Sequence, residues 1–373
     1  MNEVSIVPVR SASELKRFIR LPAKLYANDP NFVPQLEMER RDALSPDRNP
    51  YFEHAEVQFF LAVRGGRDVG RISAQIDRLV KDPTIGHFGM IVAENDPAVF
   101  AKLLGAAESW LRERGKSRVL GPFNLSINEE SGLLIDGFDT PPMIFMSHDP
   151  RYCAAQLEQH GYRKSKDLLA YLYDAHQDVP PAARRLINRH VPAGLTVRHI
   201  DMKNFMAEFD VIIDIFNDAW SENWGFVPFT PAELKHMAKG LKPLLRSEIT
   251  AVAELHGRPI GFSIALPNLN EAIRDFGGKL LPFNWLKLLL RLKRGTTTAR
   301  VALLGIRRNL DVGLLSGLLP YLLIDEMRRE APKRLRNVEL SWILEDNKPM
   351  RRVAESLGAS AYKTYRVYEK PLS

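Results

Sequence analysis

The stretch Asn217-Asp218-Ala219-Trp220-Ser221-Glu222-Asn223-Trp224-Gly225-Phe226 gathers carboxylates, amides and large aromatic rings in one short run. Loops that hold rings beside polar groups tend to line binding clefts, which makes Trp220, Asn223 and Trp224 candidate substrate contacts. Core packing of the rings is the alternative. A second polar run, Asn124 to Gly132, contains Glu129 and Glu130, which suit an amine or a basic surface; turn and capping duty is the other reading. A third run, Gly278 to Arg294, is basic and apolar at once. On a helix from Pro282, Trp285, Leu288, Leu289 and Leu292 share one face, with Lys287, Arg291 and Arg294 on another. That is the composition of a helix lying in a membrane interface, and a domain-packing helix with a solvated basic face is the alternative.

The chain has 373 residues, with Lys+Arg 52 against Asp+Glu 45 and a net charge of +7. Hydrophobic residues make up 45% and charged residues 26%, which excludes disorder, collagen and coiled coil, and the length suits about two domains. Basic residues are densest over Lys279 to Arg308 and Lys333 to Arg336, followed by Arg351 and Arg352. Here they alternate with leucine rather than with stacking aromatics, so nucleic acid fits poorly, while a phosphate-bearing ligand or a lipid surface fits well. The one cysteine, Cys153, can form no internal disulfide, and no Cys/His set for a metal is present. It reads as a small core residue in a cytoplasmic protein. No apolar run reaches the roughly 18 residues of a membrane span.

Those residues are positioned by a repeat. FFLAVRGGRDVGRISAQI near residue 60 and AVAELHGRPIGFSIAL near residue 252 are each a strand, a glycine turn and a second strand. Each half closes with a helix, a capping glycine (Gly161 or Gly358) and an alternating strand. Gly70 to Gly261 is an offset of 191 and Gly161 to Gly358 an offset of 197, so both landmarks recur together. Between them each half carries a long helix, residues 97 to 115 and 313 to 331, the second holding Pro320 as a kink or a true start. The expectation is an α+β (mixed α/β) chain of two domains, 1–178 and 190–373, each a mixed central sheet flanked by helices, joined near His176 to Pro192.

This order of elements resembles the GNAT acyltransferase superfamily, in tandem. The family's landmark is an Arg/Gln-x-x-Gly-x-Gly/Ala loop between a strand and a helix, whose backbone amides hold the coenzyme A pyrophosphate. After strand ARVALLGI the chain reads Arg307-Arg308-Asn309-Leu310-Asp311-Val312-Gly313-Leu314. Arg308 and Gly313 match, and Asp311 replaces the middle glycine, placing a carboxylate where a diphosphate would lie. The first half has Glu94-Asn95-Asp96-Pro97 at that place, an acidic turn that caps its own helix and repels phosphate, so this half is expected to be degenerate. NDPNFVPQL (28–36), GPFNLSINEESGLLIDGFDTPP (121–142) and FNDAWSENWGFVPFT (216–230) are similar to a subgroup related to bacterial ceramide synthases, which acylate a sphingoid-base amine.

The resemblance implies an acyl-thioester donor, coenzyme A or a carrier, and an amine acceptor, a long-chain amino lipid in the ceramide synthase-like subgroup, without a metal. Arg307, Arg308, Asp311, Gly313, Leu314 and Asn347 are then the donor contacts. Glu254 and Glu339 are the strand carboxylates for base work, with Asn217 beside them in role; a solvent-facing carboxylate is the alternative for each. Alternation puts Glu339 on one face with Ser341 and Ile343. The tyrosine often found before the helix-ending glycine is missing, its place taken by Ala354 here and Leu157 in the first half. A transferase for a small soluble amine and a non-catalytic binding protein are the competing functions.

Overall fold

The computed structural model describes residues 3–188, 191–308 and 315–372. In the first half the elements are β1 (Ser5–Pro8), α1 (Ala12–Leu25), α2 (Glu37–Ala43), β2 (Ala55–Arg64), β3 (Arg67–Asp77), β4 (Ile85–Ala93), α3 (Pro97–Arg112), β5 (Arg118–Gly121), the short β6 (Phe123–Asn124), β7 (Glu130–Ser131) and β8 (Leu133–Asp136), then α4 (Tyr152–Gln159) and β9 (Arg163–Asp174). The second half runs α5 (Pro181–Ile187), β10 (Leu195–His199), α6 (Phe205–Trp220), α7 (Pro231–Leu241), β11 (Thr250–Leu255), β12 (Arg258–Pro267), α8 (Leu269–Ile273), α9 (Asn284–Arg294), β13 (Thr298–Ile306), α10 (Leu315–Glu330), β14 (Asn337–Leu344), α11 (Lys348–Ser356) and β15 (Ser360–Pro371).

Two compact units result, and both are discontinuous in sequence. Unit 1 contains the chain to Leu168, Ala272–Leu290 and the chain from Lys363; unit 2 contains Leu169–Glu271 and Arg291–Tyr362. In unit 1, β1 to β4 are antiparallel neighbours, β4 and β5 are parallel, and the end of β15 closes the sheet antiparallel to β5, Tyr368 opposite Gly121. In unit 2, β10 to β13 are antiparallel neighbours and β13 and β14 are parallel. The last strand of the second repeat thus completes the sheet of the first, while β9 from Leu169 onward belongs to unit 2.

The two hairpins share their irregularities. Gly65 and Gly66 turn the first with positive φ, and His256 and Gly257 turn the second. In both, the strand register shifts just after an alanine that faces the landmark glycine, Ala62 opposite Gly70 and Ala253 opposite Gly261. Gly70 is there because a helix packs on it: an added Cβ would lie 2.7 Å from a Leu103 methyl of α3. At Gly261 the added Cβ would lie 3.2 Å from the Gly305 carbonyl oxygen and 3.6 Å from a Leu323 methyl of α10. Gly161 and Gly358, at φ 85° and 91°, take the left-handed turn that ends α4 and α11.

Each unit has its own core. Val69, Ile72, Phe88, Phe100, Leu103, Leu111 and Val119 pack α3 on one face of the unit 1 sheet, and Cys153 lies fully buried among them. Phe18, Leu21, Tyr51, Phe59 and Leu61 fill the other face under α1. In unit 2, Ala251, Ala253, Ile260, Val301 and Leu340 of the sheet meet Leu319, Leu323 and Met327 of α10. α10 runs through Pro320 without ending there.

Candidate active site

The parallel pair β13 and β14 is the centre of unit 2. Its register runs from Thr298↔Asn337 to Val301↔Leu340, while β13 continues to Ile306 and β14 to Leu344. The ladder therefore ends midway along both strands, and the edges beyond it are not bonded to each other in that register. Directly at this point the register sets Arg300 opposite Glu339.

A buried polar cluster forms there. Glu339 is 0% exposed and Arg300 5%. Arg300 Nε donates to Ser341 Oγ at 2.7 Å and lies 3.7 Å from Glu339 Oε1; its Nη2 donates to the Ser341 carbonyl at 3.2 Å. The Ser341 hydroxyl donates to Glu339 Oε1, and the Tyr362 hydroxyl donates to Oε2. Alternation predicts the company of Ser341. Glu339 is not the solvent-facing carboxylate that strand chemistry alone allows, because the Arg300 cation and two hydroxyls make its burial tolerable. Arg300 and Tyr362 were not legible as members.

The other candidates lie elsewhere in unit 2. Glu254 is half-buried on β11 and accepts from Arg198 Nε at 2.8 Å, and Arg198 also pairs with Glu208 of α6. It is an ion-paired residue of an internal strand, two strands from β13. Asn217 on α6 is half-buried with its Oδ1 lacking a hydrogen-bond partner among the described residues. Trp220 stacks on Phe216 with ring centres 4.7 Å apart, and its indole lies so close to β13 that a Cβ on Gly305 would meet it at 2.4 Å. Trp224 is half-buried and Asn223 exposed.

Arg307 and Arg308 follow β13 and are met by one face of α6 and the turn after it. Arg307 pairs with Asp214, and Arg308 pairs with Glu222 and donates from Nη1 to Ser221 Oγ at 3.0 Å. The Arg308 amide donates to Asp218 Oδ2 at 2.9 Å. A backbone amide at the start of the expected phosphate loop thus already holds an anion, a carboxylate of the chain itself. Asp311, Gly313 and Leu314 lie outside the described residues. Asn347 caps α11, its Oδ1 accepting from the Met350 amide at 3.2 Å.

Unit 1 treats the equivalent place differently. Its β4–β5 ladder ends at His87↔Leu120, and the chain's own Phe123–Leu125 segment lies on β4 beyond it. Asn124 Oδ1 accepts from the Met90 amide at 2.8 Å, and Gln75 Nε2 donates to the Phe123 and Leu125 carbonyls at 2.7 and 3.0 Å. A Cβ on Gly89 would sit 1.7 Å from the Phe123 oxygen, so only glycine admits this segment. The acidic turn caps α3 as expected, Asp96 Oδ1 accepting from the Ala98 amide at 2.8 Å. Glu129 is half-buried here, and the neighbouring Glu130 accepts from Asn124 Nδ2 at 2.8 Å and from Gln35. Among the described residues no cluster of His, Cys, Asp or Glu is placed to hold a metal.

The basic, apolar run forms α9. Leu281, Phe283, Trp285, Leu286, Leu289 and Leu290 are 45% to 75% exposed, which makes this the main exposed apolar surface among the described residues. Leu288 and Leu292, expected on the outer face with Trp285 and Leu289, are half-buried. No helix among the described residues is long and apolar enough to cross a membrane.

Among solved structures, the tandem GNAT protein from the clavulanic acid biosynthesis pathway superposes with a TM-score of 0.58 at 15% identity, covering 100% of this chain and 99% of that one. The GCN5-related N-acetyltransferase from Sphaerobacter thermophilus gives 0.54 at 16% identity, covering 98% and 96%. The fold is that of a tandem GNAT protein. No protein-family model matches. The chain is 51% identical over 376 aligned residues to the bacterial ceramide synthase of Caulobacter vibrioides (strain NA1000 / CB15N), covering 99% of this chain and 98% of that protein. It is 44% identical to Protein YghO of Escherichia coli (strain K12), over 96% of this chain and 93% of that protein. The chain belongs to this bacterial ceramide synthase family, and fold and family together make it an N-acyltransferase.

Proposed function

We propose that the enzyme moves a long acyl chain from a coenzyme A thioester to the amino group of a long-chain amino lipid, with the chemistry in unit 2. The observation that carries the reading is the β13–β14 ladder ending at Val301↔Leu340 beside the buried Arg300–Glu339–Ser341–Tyr362 cluster. Unpaired strand edges offer backbone donors and acceptors to an extended thioester arm, and the cluster offers a proton acceptor next to it. Glu339 is the base in this reading. Glu254, tied to Arg198, is not needed, and Asn217, with its unsatisfied amide oxygen, is a polar contact for a substrate.

For the donor, Arg307 and Arg308 are the cations for a diphosphate, with Gly313, Leu314 and Asn347 completing the contact and the Asp311 carboxylate opposing it. The fit is physical: both guanidinium groups already bind carboxylates of α6 and the turn after it, and a diphosphate would displace these exposed partners at little cost. Asn223 and Trp224 are the acceptor contacts of that loop; Trp220 supports them from its stack. The name of the Caulobacter relative favours a sphingoid-type amine.

The exposed apolar arc of α9, Trp285, Leu286, Leu289 and Leu290, with Lys287, Arg291 and Arg294 beside it, supports peripheral contact of a cytoplasmic enzyme with an anionic bilayer. Palmitoyl-coenzyme A and sphinganine in phosphatidylglycerol vesicles, followed by mass spectrometry of the amide, test the reading. Amide formation from both is expected. Turnover confined to acetyl-coenzyme A and a soluble amine would overturn the lipid assignment.

A further inference from the structure

We propose that the acidic stripe at the end of α6 is a specificity filter on the donor: Asp214, Asp218 and Glu222 occupy Arg307 and Arg308 until a diphosphate displaces them, and so exclude single phosphates. This rests on the reading of the two arginines as the cations of the donor site.

Asp210, Asp214, Asp218 and Glu222 recur at every fourth residue, which makes them one stripe along α6 and into the turn after it. Such a stripe opposes the helix that bears it. Like charges four residues apart repel, and Asp214 and Asp218 lie in the last two turns, where the helix dipole disfavours anions. The last turn also holds no basic residue. The stripe is therefore held by something outside α6.

Four contacts from this end of α6 converge on two consecutive residues. Arg307 donates from Nε to the Pro259 carbonyl at 3.0 Å, which anchors the guanidinium on β12 while its Nη2 pairs with Asp214. Arg308 pairs with Glu222, donates from Nη1 to Ser221 Oγ at 3.0 Å and gives its backbone amide to Asp218 Oδ2 at 2.9 Å. Two guanidinium groups and an amide are the donors of a phosphate site, and here carboxylates of the chain fill them.

The filling yields to the right anion. The side chains of Asp214 and Glu222 are 69% and 74% exposed, so each pair is weak and its release strands no charge in the core. The carboxylates are nevertheless tethered, hence present at high effective concentration. A phosphodiester such as a lipid headgroup brings one charge on one phosphorus and engages one guanidinium. A diphosphate brings two and spans both. An enzyme that works at an anionic bilayer meets single phosphates in excess, and the stripe keeps its donor cations from them.

Asp214→Asn/Asp218→Asn/Glu222→Gln removes three charges, keeps the side-chain sizes and leaves an acceptor for the Arg308 amide. In calorimetry coenzyme A is expected to bind this variant about 3- to 10-fold more tightly, and glycerophosphoglycerol, the soluble headgroup of phosphatidylglycerol, at least about 30-fold more tightly. KM for S-palmitoyl-pantetheine, which has no diphosphate, should stay within about twofold. Asp210→Asn, in the same stripe but one turn from the arginines, should bind both ligands as wild type does. The melting temperature should hold or rise, since the acids oppose the helix dipole; if the triple variant does not fold, Asp214→Asn/Glu222→Gln at the two exposed positions carries the same test. Unchanged affinity for coenzyme A, equal gains for both ligands, or an Asp210→Asn gain as large as that of the triple variant would overturn the filter. Wild type and variant that both turn over S-palmitoyl-pantetheine yet give no heat with coenzyme A would instead overturn Arg307 and Arg308 as the donor cations, the reading on which it rests.

Discussion

The Arg300–Glu339 pair makes a sharp stability prediction. Removing the carboxylate charge with Glu339→Gln leaves a guanidinium that is 5% exposed facing a neutral amide 3.7 Å from where its counter-ion stood. At that distance, with an effective dielectric of about 20, the lost attraction is about 4.5 kcal/mol. Glutamine keeps one acceptor for the hydroxyls of Ser341 and Tyr362, so a hydrogen bond of about 1 kcal/mol is the further loss, and relaxation gives some of the total back. Breaking a buried pair typically costs about 3–5 kcal/mol, and the unit 2 transition should fall by roughly 10 °C. Differential scanning calorimetry resolves this if the two units melt separately, and urea titration of tryptophan emission, with Trp220, Trp224 and Trp342 in unit 2, gives a second probe. The companion variant Arg300→Met/Glu339→Leu removes both charges and should lie within about 1 kcal/mol of wild type or above it. A Glu339→Gln protein within 1 kcal/mol of wild type would refute the claim that the pair is desolvated and coupled, and so the geometry of the proposed site.

Three other outcomes are expected. Burial raises the Asp149 carboxyl to about 7, with the Glu130 charge adding to the effect, so folding favours its protonated form. Its contribution is fully present below about pH 4 and is lost as pH rises through 7; Asp149→Asn should therefore match wild type at pH 4 and melt higher at pH 8, by about 1–3 kcal/mol, and an equal gain at both pH values would refute the cause. Gly89→Ala puts a methyl 1.7 Å from the Phe123 oxygen and should cost more than about 3 kcal/mol or abolish soluble expression, whereas Gly105→Ala on α3, with nothing within 4 Å, should gain about 0.5–1 kcal/mol in the same melts. Leu286→Asp/Leu290→Asp should lower flotation with phosphatidylglycerol vesicles at least tenfold without lowering the melting temperature, and unchanged flotation would remove α9 as a docking face.

What the sequence discloses is what local chemistry dictates. The hairpins, the Asp96 cap and the Gly161 and Gly358 stops follow from residues that only those conformations accommodate. The exchange of end strands does not, because the alternation of residues 360–371 specifies a half-buried strand and says nothing of which sheet edge it joins. Tyr362 was hidden for the same reason: it meets Glu339 at a separation of 23 positions along the chain with no shared period. On α9 the amphipathic pattern gives the helix but not its rotation. Apolar residues occupy more than half of its circumference, and packing turned Leu288 and Leu292 inward and left Leu286 and Leu290 out.

The two repeats kept their scaffold and diverged where a ligand would lie. Each has the hairpin bulge, the glycine opposite it and a parallel pair whose ladder stops early. In unit 1 the gap is filled by Phe123 to Leu125, held by Gln75, Asn124 and the bare backbone of Gly89, so that β4 is satisfied by the chain itself. In unit 2 the corresponding edges adjoin a buried ion pair and two hydroxyls. Buried charge at that position is a poor way to stabilise a sheet, since a hydrophobic pair of equal volume would serve as well or better. Its presence in the repeat where, among the described residues, no segment like Phe123 to Leu125 lies on the strand, and the self-filling of the other, are together explained if one copy carries the chemistry and the other is scaffold.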